Sequence, residues 1–138
     1  MRYYLDTNIV TFMLLDTDEI HRDVFELIND YSNTFYVSSI VAKEIIHLHK
    51  RDIIKKSRFK ATSDVLIAMK NIGIEVKLLN ENHLLQYARM DINTDEHNDP
   101  NDHAIIAQSI SDKIPLISSD HKFKYYIPQG LELIFNKR

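Results

Sequence analysis

Short apolar runs alternate with longer amphipathic segments along most of the chain. The runs at 2–5, 35–37 and 74–78, and the one that begins at Pro115, have the length of buried strands. Between them, apolar residues recur at the i, i+3, i+4, i+7 spacing that lines one helix face, which predicts helices over 8–30, 39–50, 62–71, 81–90 and 100–112. The alternation predicts an α/β fold of three α/β/α layers, with helices on both faces of a mainly parallel central sheet.

Capping residues mark two of the predicted helix starts. Asn80 is a favoured N-cap for the helix that follows it. Asp99 stands before Pro100, and proline is over-represented at the first helical position. With only Gly73 and Gly130, the chain lacks the glycine-rich phosphate loops of the Walker and dinucleotide-binding types. Nucleotide-cofactor enzymes built on those loops are therefore disfavoured.

Four carboxylates far apart in sequence lie where apolar elements carry them inward or to a sheet edge. Asp6 follows the first strand, and Asp120 follows Leu116-Ile117 across two serines, so both are predicted at the carboxyl ends of buried strands. Open α/β sheets place their sites at that edge. Glu44 and Asp102 each share a helical stripe with apolar residues, which turns both acids toward the core.

Several carboxylates held together out of bulk water are unfavourable because of desolvation and mutual repulsion. A divalent cation removes most of that cost. Mg²⁺ suits an all-oxygen site completed by waters and substrate phosphate, and Mn²⁺ accepts similar ligands. The four acids therefore predict metal-assisted hydrolysis of a phosphodiester.

Composition limits the remaining possibilities. A chain of 138 residues with 44% hydrophobic residues has the size of one domain, expected over 1–138. No apolar run is long enough to cross a bilayer, so a cytoplasmic protein without membrane contact is expected. The absence of cysteine excludes disulfides, thiolate zinc sites and cysteine nucleophiles.

Charge gives one further candidate surface. The net charge of −3 is not typical of a nucleic-acid binder. A local basic strip nevertheless lies against a single acid, Asp52, and is a candidate for contact with an RNA backbone: Lys50, Arg51, Lys55, Lys56, Arg58 and Lys60. An equally good interpretation is a solvated helix end and connector.

Four segments, taken together and in this order, resemble the PIN domain family, and specifically the VapC-like ribonuclease toxins of type II toxin–antitoxin pairs. Segment 5–8 is similar to the family's opening strand that ends in aspartate, and 37–45 to its strand leading into a helix with glutamate. Segment 97–108 resembles a subgroup pattern of histidine, then Asp-Pro-x-Asp, then Ile-Ala-Gln, and 116–120 resembles the closing Ser-x-Asp strand end. The chain departs from that subgroup at Lys43, Asn101 and His103, where tryptophan, an aromatic residue and arginine are frequent.

The resemblance implies a PIN-like nuclease domain that cuts RNA internally and leaves a 5′-phosphate and a 3′-hydroxyl. On this hypothesis one Mg²⁺ or Mn²⁺, or two, binds among Asp6, Asp102 and Asp120, and Glu44 positions a metal-bound water that attacks phosphorus. The secondary candidates are Asp99, Thr7, Asn8 and Ser118. The resemblance also implies a cognate antitoxin protein and self-association as a homodimer.

Other interpretations remain open for these residues and for the whole chain. Asp6 and Asp99 are also suited to helix N-caps, and Asp120 to an ordinary turn. His97 and His103 flank the acids and are suited either to proton transfer or to a structural role. A catalytically silent PIN-like module that binds RNA or protein is the alternative function. A phosphoacceptor receiver-type domain is disfavoured because Asp6 has no adjacent acid and Asp120 stands where a lysine is needed.

Overall fold

The structure is a computed structural model that describes residues 1–138. Five strands form one sheet in the order β3-β2-β1-β4-β5, and every neighbouring pair is parallel. The strands are β1 (Arg2–Leu5), β2 (Thr34–Ser38), β3 (Ile74–Lys77), β4 (Leu116–Ser118) and β5 (Leu133–Phe135). The predicted parallel α/β fold is confirmed, with β5 as an additional strand that the hydrophobic pattern did not indicate.

Six α-helices flank the sheet, and two 3-10 helices lie at Thr17–Glu19 and His121–Gln129. The α-helices are α1 (Thr7–Leu15), α2 (Arg22–Ile28), α3 (Ser39–Lys50), α4 (Thr62–Asn71), α5 (Glu81–Arg89) and α6 (Pro100–Asp112). The segment predicted as helical over 8–30 is interrupted, because the polar residues after α1 form the first 3-10 helix and His21 caps a new helix. Side chains cap the starts of α3, α5 and α6, whereas α4 begins after Ala61 without a side-chain cap.

Side-chain caps fix the starts of α5 and α6. The Oδ1 of Asn80 accepts a hydrogen bond from the backbone nitrogen of His83 at 3.2 Å, and the His83 ring accepts one from the Asn80 nitrogen at 3.0 Å. Asp99 caps α6 by accepting from the nitrogen of Asn101 at 2.9 Å, with Pro100 in the first turn. Both caps agree with the sequence-based expectation.

The strand order creates a switch point between β1 and β4. From β1 the chain builds outward through β2 and β3, then returns to add β4 and β5 on the opposite side. Helices that leave adjacent strands in opposite directions open a crevice at the carboxyl edge of the sheet, which is where such folds bind ligands. The backbone nitrogen of Asp6 donates to the oxygen of Ile117 at 3.0 Å, so Asp6 stands at this crevice.

The hydrophobic core lies on both sides of the sheet. Its largest fully buried members include Leu5 and Ile117 in the strands, Ile9 in α1, Ile45 in α3 and Ile106 in α6. Burial of such side chains stabilises a fold by about 1.5 to 3 kcal/mol each. None of the helices has the length and apolar character needed to cross a membrane.

A buried polar network ties β1 to α5 and α6 at the side of the core away from the four acids. The Tyr4 hydroxyl donates to Asp112 Oδ2 and accepts from the Gln108 amide at 3.1 Å. The other oxygen of Asp112 lies 2.9 Å from His83 Nε2. Burial, reinforced by Asp112, raises the pKa of Tyr4 well above its usual value, so the hydroxyl stays protonated and remains a donor.

Removing the Tyr4 hydroxyl should destabilise the protein because it leaves buried partners without a hydrogen bond. We expect Tyr4→Phe to lower the free energy of unfolding by about 1 to 3 kcal/mol, measured by urea denaturation. Tyr36→Phe is the matched control, since Tyr36 is on the neighbouring strand and its hydroxyl forms no hydrogen bond within the chain. Equal losses for the two variants would show that the hydrogen bonds of the Tyr4 hydroxyl add nothing to the free energy of unfolding.

Candidate active site

Asp6 is held by both of its carboxylate oxygens at the switch point. Its Oδ1 accepts from the backbone nitrogen of Thr7 at 2.8 Å, which caps α1, and its Oδ2 accepts from the Ser118 hydroxyl at 2.8 Å. The side chain is buried, with 5% of its surface exposed. Capping a helix and facing the crevice are therefore compatible roles for this residue, because each uses a different oxygen.

Ser118 also connects Asp6 to Asp120. The Ser118 oxygen accepts from the backbone nitrogen of Asp120 at 3.1 Å while its hydroxyl hydrogen is directed to Asp6. Asp120 in turn caps the second 3-10 helix by accepting from the nitrogen of Lys122 at 2.9 Å. One serine at the end of β4 thus fixes the positions of two acids that are far apart in sequence.

Asp102 reaches the same place from the first turn of α6. Its Oδ2 lies 3.0 Å from His97 Nε2. One ligand atom each from His97, Asp102 and Asp120 lie within 4.8 Å of one another, close enough to share a metal ion. The structure therefore gathers acids from the ends of β1 and β4 and from α6 into one cluster.

Glu44 completes the cluster from the middle of α3. Its Oε1 is buried and has no hydrogen bond of good geometry, and the nearby Thr7 hydroxyl, which also has none, is close enough to lower the pKa of Glu44. Buried polar atoms in folded proteins are nearly always paired, so each exception requires an explanation. A bound cation with its waters would supply the missing partners.

The electrostatics of the cluster also indicate missing positive charge. Burial raises the pKa of Asp6 to about 6. Burial, followed by the charges of Asp102 and Asp6, raises the pKa of Glu44 to about 7. Burial, followed by Asp6, Asp99 and Asp120, raises the pKa of Asp102 to about 8. Without a cation, Asp102 is therefore mainly protonated at neutral pH, and the charged form of Glu44 is disfavoured.

Two buried histidines pack next to Asp102, on the side that faces the core. His97 and His103 are buried, and His103 Nε2 lies 2.8 Å from the backbone oxygen of His97. The His97 ring packs against Phe123 and Tyr126, with centroids 5.5 and 5.6 Å apart. Burial lowers the pKa of His97 while it raises that of Asp102, so their contact is a hydrogen bond between groups that are not both charged. His97 orients Asp102, and His103 supports His97.

The secondary candidates differ in where they lie. Ser118 contacts two acids, and the Thr7 hydroxyl lies close enough to Glu44 to lower its pKa. Asp99 is exposed and caps α6, and its charge adds to the repulsion on Asp102. Asn8 is exposed on α1, where its backbone oxygen accepts from Thr11.

The basic strip of Lys50, Arg51, Lys55, Lys56, Arg58 and Lys60 begins at the last residue of α3 and continues through the connection to α4. Lys50 lies six residues beyond Glu44, or about 9 Å along the helix axis. The cation that lowers the pKa of Asp102 is Lys122, which the sequence pattern did not single out. Its signal in the sequence is its position two residues after Asp120.

A small cavity of about 130 Å³ opens beside Glu44 and is lined by Lys43, Glu44, His47 and Asn101. Lys43 and Asn101 are two of the positions at which this chain departs from the frequent residues of the VapC-like subgroup. The third, His103, is buried behind the acids. The departures are therefore concentrated around the cluster.

The donor set fits a hard divalent cation. Asp102 and Asp120 lie together with His97, and Ser118 joins Asp6 to Asp120. The ligand atoms of Asp6 and Glu44 are not among those within 4.8 Å of one another, but the charge of Asp6 raises the pKa of Asp102, and the charges of Asp102 and Asp6 raise that of Glu44. Oxygen ligands of this kind suit Mg²⁺ and Mn²⁺, and the imidazole of His97 orients Asp102 through its hydrogen bond.

Solved structures with the same fold come from several bacteria. The chain aligns over 99% of its length with 100% of a chain in VapBC2 from Rickettsia felis bound to a promoter DNA fragment, at 23% identity and a TM-score of 0.75. It aligns over 98% with 98% of a chain in VapBC-1 from nontypeable Haemophilus influenzae, at 22% identity and a TM-score of 0.69. For DNA-bound VapBC from Salmonella typhimurium the coverage is again 98% of both chains, at 17% identity and a TM-score of 0.68.

At these identities the structural likeness establishes the fold and not the activity. No curated protein sequence matches the chain significantly. The family model described as the PIN domain matches residues 3–126, which span β1 to the second 3-10 helix and include all four acids. The chain therefore belongs to the PIN domain family.

Proposed function

We propose that this protein is a Mg²⁺- or Mn²⁺-dependent endoribonuclease and the toxin of a toxin–antitoxin pair. The observation that carries the proposal is the grouping of Asp102, Asp120 and His97 at the switch point, with Asp6 joined to Asp120 through Ser118 and the buried Glu44 raised in pKa by Asp102 and Asp6. Such an arrangement is unfavourable by itself and becomes favourable with a cation and a phosphate.

Each acid has a proposed role that follows from its position. Asp6, Asp102 and Asp120 hold the metal, Ser118 and His97 orient them, and Glu44 accepts a proton from the attacking water. A bound divalent cation would lower the pKa of a water and neutralise charge on the phosphoryl group. Water adds to phosphorus as Glu44 takes its proton, the bond to the 3′ oxygen breaks, and that oxygen takes a proton from solvent. The products are a 5′-phosphate and a 3′-hydroxyl.

RNA as the substrate and an antitoxin as the partner follow from the family and its solved members. The chain resembles VapC-like ribonucleases in all four motifs, and its structural neighbours include a complex described as a member of the VapBC family of toxin–antitoxin systems. We extend both properties to this chain, together with self-association as a homodimer. The presence of all four acids favours an active enzyme over a silent RNA- or protein-binding module.

Divalent metal should raise the melting temperature, because a cation that binds only the folded state stabilises it by mass action. At 100 times the dissociation constant the gain is about 2.7 kcal/mol, which corresponds to several degrees. We expect millimolar Mn²⁺ to give this rise in differential scanning fluorimetry, and Asp6→Asn to remove most of it.

Asp18→Asn is the matched control for that measurement, because Asp18 is exposed and is not among the charges that shift the pKa values of Asp6, Glu44 and Asp102. It should keep the full rise with Mn²⁺. No melting shift in the unaltered protein would contradict the metal site.

Without metal, stability should fall as pH rises. The unfolded state releases protons from these acids near pH 4, whereas the folded state holds them up to about pH 6, 7 and 8 for Asp6, Glu44 and Asp102. The folded state therefore binds more protons between pH 4 and 8, and the free energy of unfolding decreases across that window.

We expect melting temperatures in EDTA to be higher at pH 5.5 than at pH 8.5, and Asp102→Asn to flatten this difference. Saturating Mn²⁺ should also reduce it, because the cation binds the ionised acids. A wild-type profile that coincides with that of Asp102→Asn would mean that Asp102 does not carry a raised pKa.

Cleavage of RNA should require metal and the acid cluster. We expect EDTA to abolish cleavage and Asp102→Asn to lower the rate by about 100-fold or more, beyond the 10- to 100-fold typical of groups that only support metal ligands. The measurement is single-turnover cleavage of labelled RNA, with the 5′-phosphate detected by ligation.

Glu44→Gln separates catalysis from metal binding. It should lose cleavage yet keep most of the Mn²⁺-induced melting shift, whereas Asp18→Asn should retain both. Cleavage by Asp102→Asn at the wild-type rate would point to a contaminating nuclease and remove the support for this mechanism.

A further inference from the structure

A second cavity, of about 490 Å³, lies on the other side of the Asp120 segment from the acids and is basic. It is lined by Ser119, His121, Lys124, Phe135, Asn136, Lys137 and Arg138. Residues 121–138 contain three lysines and one arginine against a single acid, Glu132. In a chain of net charge −3, this is a local concentration of positive charge.

Asn136, which lines this basic cavity, is fully buried, and both its side-chain oxygen and its side-chain nitrogen form hydrogen bonds. These bonds hold this part of the cavity rigid. Its Oδ1 accepts from the backbone nitrogen of His21 at 2.7 Å. Its Nδ2 donates to the backbone oxygen of Glu19 and to the Ser119 hydroxyl, each at 2.9 Å. A single side chain thus joins the end of β5 to the end of β4 and to the segment before α2.

The basic cavity and the acid cluster share one structural support. Ser118 contacts Asp6 and Asp120, while the next residue, Ser119, lines the basic cavity. Successive side chains of extended backbone point to opposite sides, which accounts for this division. The backbone nitrogen of Asn136 donates to the Ser118 oxygen at 2.8 Å, so the two sites are held in a fixed relation.

The cations of the basic cavity are partly pre-organised and available. Lys124 Nζ lies 4.1 Å from the centroid of the Phe135 ring and 3.3 Å from His121 Nδ1, which restricts the ammonium group. Neither Lys124 nor Lys137 forms a salt bridge within the chain, whereas Arg138 pairs with Glu19 at 2.9 Å. Two ammonium groups are therefore free to bind an anion.

We propose that the basic cavity binds a backbone phosphate of the substrate RNA adjacent to the phosphate that is cut. The inference rests on the proposed function, which places a phosphodiester at the acids beside Asp120. A chain that continues from there across Ser119 presents its next charges to Lys124 and Lys137. The contact offsets the repulsion between RNA and the acids and fixes the direction in which the strand crosses the site.

RNA binding can be measured without cleavage by placing all variants in an Asp6→Asn background. Fluorescence anisotropy of a labelled single-stranded RNA of mixed sequence gives the dissociation constant between 50 and 200 mM salt. We expect Lys124→Gln with Lys137→Gln to weaken binding roughly 10-fold and to reduce the salt slope by about 0.7, the contribution of one phosphate on a single strand.

A matched control removes the same charge elsewhere. Lys70→Gln with Lys113→Gln alters two exposed lysines at the ends of α4 and α6, and should change the dissociation constant by less than about twofold. An equal loss of RNA affinity in this control would mean that affinity depends only on the net charge of the protein, and it would overturn the proposal. A larger loss from Lys55→Gln with Lys56→Gln would assign the backbone contact to the basic strip instead.

The outcome separates this inference from the nuclease activity. In the otherwise unaltered enzyme, the Lys124 and Lys137 changes should raise KM for RNA and leave kcat and the Mn²⁺ melting shift in place. If the unaltered enzyme cuts RNA and the double variant has the same KM, the phosphate-binding role of the basic cavity is refuted and the nuclease activity is not. An enzyme that does not cut RNA but loses affinity in the double variant would refute the nuclease alone. Unchanged RNA affinity with weakened binding of poly-glutamate would assign the basic cavity to an acidic protein.

Discussion

The hydrogen bond from Ser118 to Asp6 is the interaction on which the site depends. A carboxylate buried to this extent is costly unless its oxygens are satisfied, and the chain provides one donor from the start of α1 and one from the end of β4. The donor from α1 is the next residue in the chain, whereas the donor from β4 is available only because the strand order brings β1 beside β4. The same serine accepts from the backbone of Asp120, so a sheet junction and an acid cluster are formed by one set of contacts.

The acids of the cluster lower the stability of the folded protein, and the same acids are the ones proposed to carry out its function. Burial and mutual repulsion act on Asp6, Glu44 and Asp102 together, and the surrounding protein neutralises little of their charge. The fold tolerates this because the rigid parts lie close by: the buried histidines behind Asp102, the apolar core beneath, and the polar network around Tyr4. Strained or repulsive groups persist in proteins where the surrounding structure over-determines their positions, and they are concentrated at functional sites.

Much of this architecture follows from local signals in the sequence. The caps at Asn80 and Asp99 fixed two helix starts, because a side chain that satisfies orphan backbone groups acts within a few residues. The strand β5 was missed, since three apolar residues show no period and pair only with a strand 17 residues earlier. The contacts of Ser118 and His97 and the position of Lys122 depend on tertiary geometry. Sequence patterns indicated which acids face inward, but the partners that orient them come from the folded chain.

The two serines at the end of β4 divide their side chains between an acidic face and a basic face. Because extended backbone alternates sides with every residue, a deletion of one residue here would turn each hydroxyl toward the wrong neighbour. The spacing from Ile117 to Asp120 is constrained by hydrogen bonds on both sides at once. The geometry of this short segment therefore limits how the protein can change while keeping an acidic centre and a cationic flank in register.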